Sequence, residues 1–377
     1  MGCKNVCIGD VATYRKDSIK PVAGVTYRCY SLPAFDNCRS PEILDGSEIL
    51  SSKLKIEKGD ILVNKLNMRF KRIWPLNELD DNSVCSTEFL PLHPKESVDS
   101  VFLLYTLLSD SFTKELSGMR TGTSGSHQRV KPEWVLGYRF DLPDLDCQRK
   151  IGIVLAAIDL KIACNAKING YLLELATIRF EQELANGESV FKFSELVELE
   201  DSKRVPLNSR DRETRKGPYP YYGATSIMDY VDDYLFDGVR VLLGEDGTVI
   251  REDGRPVLQY VWGKYWVNNH AHILKSKSAY SLEAIYIALA RTTISHIVTG
   301  AVQMKISQKN LNNLELEMPA LNDLSYLEDI FTLYRSNIEE SKKLANIRDS
   351  LLPKLMSGEI DVSKIDLKQL NSHLSDY

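Results

Sequence analysis

Hydrophobic and polar positions repeat along this chain at an offset of 176 residues. Val130, Val135, Tyr138, Phe140, Leu142, Pro143 and Leu145 correspond to Ile306, Leu311, Leu314, Leu316, Met318, Pro319 and Leu321. The correspondence runs on from Ile151, Leu155, Ile158 and Ile162 to Leu327, Phe331, Tyr334 and Ile338, then from Ile168, Tyr171 and Leu175 to Leu344, Ile347 and Leu351. A match of this length marks an internal structural repeat.

Each copy predicts the same elements in the same order. Tyr138/Phe140/Leu142 and Leu314/Leu316/Met318 alternate with period two, as a half-buried strand does, and a proline stops each. A helix follows, its start marked by Asp146 in one copy and by the capping-box pattern Ser325-x-x-Glu328 in the other. The spacings 151-155-158-162 and 327-331-334-338 alternate four and three, the seam of a coiled coil. Both seams then meet a polar residue, Asn165 or Ser341, so the two helices are suited to pack on each other.

The segments upstream resemble each other less. Lys58-Gly59-Asp60-Ile61-Leu62-Val63 and Asp237-Gly238-Val239-Arg240-Val241-Leu242-Leu243 each read as a turn leading into a strand. Residues 86–92 parallel 268–274, and a short helix follows in both, at 102–108 and 285–289. One scaffold with divergent loops suits two readers of different targets.

At 377 residues, 43% hydrophobic and 26% charged, the chain predicts a folded protein of two domains or more. No run of about 18 apolar residues occurs, and Met1 to Cys7 lacks the apolar stretch of a signal peptide, so a cytoplasmic protein is expected. Seven cysteines without a CxxC pair indicate reduced thiols, not a disulfide framework or zinc knuckle. The net charge of −5 argues against a freestanding DNA binder, but seven basic residues against two acids between Lys53 and Arg72 form a local cationic face.

The arrangement resembles the specificity subunit of type I restriction-modification systems. The resemblance rests on Pro220-Tyr221-Tyr222-Gly223-Ala224-Thr225, Asp232-Asp233-Tyr234-Leu235-Phe236-Asp237-Gly238 and Leu243-Gly244-Glu245-Asp246-Gly247. It rests also on Asn268-Asn269-His270-Ala271-His272 and on the run from Ile347 to Gly358; in the first copy the latter is reduced to Tyr171-Leu172-Leu173-Glu174-Leu175-Ala176. The resemblance implies an α+β fold of two mixed α/β target-recognition domains separated by two long antiparallel coiled-coil helices with a pseudo-two-fold repeat. The expected divisions are a first recognition domain at 1–145, a spacer helix at 146–185, a second recognition domain at 186–322, a second helix at 323–358 and a tail at 359–377. It further implies a non-catalytic subunit that reads one half of a split, asymmetric DNA site with each domain. Two methyltransferase subunits, and in the full enzyme two motor-nuclease subunits, would dock on it, with S-adenosylmethionine bound by the methyltransferase. Helices of about 30 residues, roughly 45 Å or 13 base pairs, would set the gap between half-sites.

Residue chemistry nominates the DNA contacts. Lys65, Asn67, Arg69, Lys71 and Arg72 combine cations for guanine edges and phosphates with an amide for adenine; a solvated edge strand is the alternative. Arg120, Thr121, Ser124, Ser126, His127 and Arg129 form a Gly-rich polar loop that suits the DNA backbone, or a plain connection. Lys216, Thr225 and Ser226 are the contacts expected in the second domain, with Tyr219 and Tyr221 assigned to structure. Glu245 and Asp246 suit cytosine amino groups unless they only form a hairpin turn, and Lys305 is a further cation.

Catalytic readings fare worse. His270 and His272 share a strand face but lack a third metal ligand at a convincing spacing. Pro143-Asp144 with Asp159-Leu160-Lys161 mimics a nuclease pattern, although residues two apart on a helix diverge. No phosphate-binding GxxxxGK[ST], GxGxxG or Asn-Pro-Pro-Tyr motif occurs. A stand-alone nuclease and a protein-only scaffold remain the competing classes.

Overall fold

The computed structural model describes residues 3–119, 128–300, 303–321 and 324–364. It divides into two compact units, one of residues 1–164 with 340–377 and one of 165–339. Both are α+β.

Unit 1 is built on an antiparallel sheet ordered Ala12–Tyr14, Phe89–Pro94, Ile61–Asn64, Ile73–Pro75. Its strand Ile61–Asn64 is buried on both faces: Ile61 and Val63 enter the core beneath the helix Ser100–Leu108, and Leu62 joins Trp74, Leu76 and Phe89. That explains the unbroken Ile-Leu-Val run, which alternation alone would not produce. Unit 2 has the same sheet, ordered Val197–Leu199, Ala271–Ser276, Arg240–Gly244, Leu258–Val261. Here too the faces divide, with Val241 and Leu243 in the main core and Leu242 in a second cluster. Register makes the equivalence residue by residue: Tyr14 and Ile61 flank Leu92, and Leu199 and Val241 flank Leu274.

A second sheet in each unit contains one parallel pair, Thr26–Tyr30 with Ser83–Cys85 and Lys216–Tyr222 with Lys264–Val267. The strands expected from the repeat are present as Arg139–Leu142 and Glu315–Pro319, paired with Lys4–Cys7 and Glu188–Lys192.

Two long helices follow those strands, Leu145–Asn186 and Ser325–Met356, of 42 and 32 residues. Asp144, not Asp146, caps the first, accepting from the Cys147 N–H at 2.9 Å. Both helices contribute to both units. Within unit 1, Asp159 meets Arg348 and Lys161 meets Glu340. Within unit 2, Asn165 lies against Asn337, Asn169 against Tyr334 and Arg179 over Tyr326, so the pair is antiparallel.

The seam departs from expectation after Ile162. Tyr171 and Leu175 are 58% and 46% exposed, while Asn165, Asn169, Ala176, Phe180 and Leu184 are buried. Asn165 is therefore taken into the seam instead of interrupting it. Its amide donates to the Asn337 carbonyl at 3.4 Å, Asn337 donates to Asn169 Oδ1 at 2.9 Å, and Asn169 donates to the Tyr334 carbonyl at 3.1 Å. The step of four from Asn165 to Asn169 and the two steps of four from Ala176 through Phe180 to Leu184 turn the buried face away from a strict heptad row.

Candidate nucleic-acid interface

Leaving the buried strand of unit 1, residues 65–72 form a loop tied to the chain at 128–130. The Lys65 N–H donates to the Glu88 carbonyl at 2.8 Å, and the Lys65 carbonyl accepts from Val130 at 2.9 Å. Leu66 bridges Arg129, and the Asn67 N–H donates to the Gln128 carbonyl. The basic cluster and the end of the Gly-rich segment, far apart in sequence, thus meet. Arg120, Thr121, Ser124, Ser126 and His127 lie outside the described residues.

The cations of this loop have different duties. Arg72 grips Asp36 with two hydrogen bonds, 2.8 and 2.7 Å, and Lys71 pairs with Asp110 at 2.5 Å. These bonds hold both carboxyls below the usual range. Arg129 pairs with Glu88 at 2.5 Å. Burial pushes the half-buried Lys65 ammonium below the ordinary lysine value. Arg69 is exposed, its guanidinium over the Phe70 ring.

Unit 2 repeats the frame hydrogen bond for hydrogen bond. The Glu245 N–H donates to the His270 carbonyl at 2.8 Å, the Glu245 carbonyl accepts from Ile306 at 2.8 Å, and Asp246 bridges Lys305. Lys65, Leu66, Glu88 and Arg129 therefore stand where Glu245, Asp246, His270 and Lys305 stand in the second unit. The frame is shared; the charges on it are not.

Glu245 meets Arg204 at 2.6 Å and Lys305 at 3.4 Å, and Asp246 meets His270 at 2.5 Å. Beneath them, the fully buried His272 places Nδ1 2.6 Å from Asp201 and donates from Nε2 to the Ile306 carbonyl. Burial raises the Asp201 carboxyl pKa, but hydrogen bonds from His272, the Ile273 N–H and Gln308 outweigh it and hold it below the usual range.

Residues 187–348 match the family described as Type I restriction modification DNA specificity domain. That matched segment is somewhat less than half of the chain. A Haemophilus influenzae protein named as a type I restriction enzyme specificity subunit is 30% identical over 145 residues, 38% of this chain and 37% of that one. The HindI specificity subunit of the same organism is 28% identical over 140 residues, 37% of this chain and 30% of the relative. The matched region thus spans about a third of either relative. The crystal structure of a type I restriction-modification S subunit from M. genitalium shares the fold, with a TM-score of 0.55 at 15% identity over 94% of this chain and 96% of that one.

Within residues 187–348, Thr225 and Ser226 are exposed in the turn between Lys216–Tyr222 and Ile227–Val231. Gln259 holds that turn through the Gly223 carbonyl, and the Ala224 carbonyl lies near Gly244, so the turn adjoins the Glu245–Asp246 loop. Lys216 starts the same strand, where a bulge sets both it and Tyr219 opposite Val231, and its ammonium pairs at 2.6 Å with Asp229, the residue opposite Tyr221. Tyr221 is buried with its hydroxyl donating to the Leu207 carbonyl, a structural role.

Asp201, Glu245 and His272 place donor atoms within 4.8 Å of one another. Their cation is Arg204, 2.6 Å from Glu245 and 3.7 Å from Asp201, while both His272 nitrogens already face internal acceptors. His270 turns instead to Asp246, so the two histidines do not converge. Asp144 and Asp159 do not converge either: the former caps the first long helix and the latter, some 22 Å along it, accepts from Tyr105 and Arg348. Sequence reasoning missed Arg204 and Gln308, which no local pattern links to Glu245 or Asp201.

Proposed function

We propose that this chain is the DNA sequence-recognition subunit of a type I restriction-modification enzyme, reading one half of an asymmetric bipartite site with each unit. The observation that carries the reading is the shared loop frame with exchanged side chains. Backbone geometry that is the same in both units, with Lys65 at one position and Glu245 at its equivalent, is what reading two different half-sites requires, because base edges are discriminated by side-chain donors and acceptors. The loops supply Lys65, Asn67, Arg69 and Arg129 in unit 1, and Glu245, Asp246, Lys305, Thr225 and Ser226 in unit 2. Lys71 and Arg72 act through the loop they brace.

Catalysis belongs to partners. Two methyltransferase subunits carrying S-adenosylmethionine, and in the full enzyme two motor-nuclease subunits, would dock on the long helices, which set the gap between half-sites. The outward stripe Tyr171, Leu175 and Ile178 on the first helix offers such a partner an apolar surface. No helix among the described residues is long and apolar enough to cross a membrane.

Mapping N6-methyladenine across the source genome with and without this gene tests the function. Deletion should erase methylation at one split motif. Unchanged methylation, together with no sequence preference when the chain is co-expressed with its methyltransferase, would favour a protein-only scaffold.

A further inference from the structure

At the tip of the cationic loop in unit 1 sits an exposed phenylalanine that the core does not need. Phe70 is 47% exposed, and its ring lies 4.9 Å from the Arg69 guanidinium and 5.1 Å from that of Arg72. The backbone beneath it is braced. Asn64, fully buried, donates both amide hydrogens, to the Leu66 carbonyl at 2.9 Å and the Phe70 carbonyl at 3.2 Å. Asn67 takes a positive φ of 54°, the Phe70 N–H donates to the Asn67 carbonyl and the Arg72 N–H to the Phe70 carbonyl. On either side of the tip the loop is anchored by Lys71 on Asp110, Arg72 on Asp36, and the Leu66–Arg129 bridge.

An aromatic ring presented this way, ordered before any partner arrives and edged by guanidinium groups, suits one ligand chemistry above others. Cations draw the loop to a phosphate backbone, and an apolar side chain on such a loop can enter a base step, partly unstacking it. The ordering cost is met by the fold, which favours contact over collapse of the ring onto the surface. We propose that Phe70 is a stacking wedge of the first recognition loop, inserted at one base step of the half-site read by unit 1, with Arg69 on the adjacent phosphate or groove edge. This rests on the DNA-reading function proposed above and adds a means of selection: the step that opens most easily, pyrimidine–purine, is favoured through its deformability rather than through hydrogen bonds.

The test is selection from a random-duplex pool by the full chain co-purified with a type I methyltransferase subunit, run in parallel for wild type, Phe70→Ala and Phe70→Trp. Affinity and bend angle are then measured on the enriched duplex, with 2-aminopurine placed through the unit 1 half-site. Wild type and Phe70→Trp should raise 2-aminopurine fluorescence at one step and enrich a pyrimidine–purine pair there. Phe70→Ala, at an exposed position that leaves the fold intact, should lose that signal and that preference, bind about tenfold more weakly and keep the other half-site. An enriched motif that Phe70→Ala shares unchanged, with equal affinity and fluorescence, overturns the wedge alone. No motif enriched by wild type overturns the DNA-reading function and the wedge with it.

Discussion

Charge is reversed between the two units at equivalent places on the same sheet. Arg15 and Asp60, 3.2 Å apart in unit 1, are replaced in unit 2 by Glu200 and Arg240, 2.6 Å apart. The register that equates Tyr14 with Leu199 and Ile61 with Val241 makes this an exchange of partners at one buried spot. A buried pair tolerates that exchange because each charge needs an opposite neighbour, not a particular identity. The Asp201 cluster obeys the same rule, and its pH behaviour follows from the sign of the shift. Its folded pKa lies below the ordinary carboxylate value, so its stabilisation is complete above about pH 4 and is lost as pH falls through the lower folded value. Asp201→Asn should therefore lower stability at pH 7 by about 3 kcal/mol, with the difference from wild type shrinking below pH 4. Urea titrations at pH 7 and 3.5 measure this; a difference that does not change with pH would exclude Asp201 as its source.

Among the elements, the helix pair shows both what patterning reveals and where it stops. Ile151, Leu155, Leu327 and Phe331 lie in the core, as their spacing requires. Past Ile162 the apolar residues Tyr171 and Leu175 keep the heptad spacing yet face outward, because the seam follows Asn165 and Asn169. A pattern rule scores asparagine as solvent-facing; only the donors and acceptors across the helix pair make it a buried position. Asn337→Leu leaves Asn169 Oδ1 without its donor and should cost about 2 kcal/mol, whereas Asn169→Leu with Asn337→Leu should recover part of that loss by leaving no amide stranded. Denaturant unfolding of both variants decides it. Equal stability of the single variant and wild type would mean the ladder carries no weight.

For the whole molecule, a repeat at 176 residues was readable because apolar spacing survives where loops diverge. The strand before each helix, both long helices and the Lys65–Arg72 cluster were visible for that reason. Their pairings were not. Asp36 and Asp110 lie far in sequence from Arg72 and Lys71, and nothing local distinguishes a cation held by an acid from one offered to DNA. Equally hidden was the match of Lys65 with Glu245, since opposite charges at equivalent positions look like divergence until backbone hydrogen bonds align them.

Reading of one half-site by each unit is tested by mapping the methylated motif in strains carrying Arg129→Ala or Lys305→Ala, equivalent residues whose side chains are 63% and 54% exposed. Each substitution should relax or weaken selection in a different half of the motif and leave the other half and the gap unchanged. Changes confined to the same half, or spread over both halves by either variant, would contradict it.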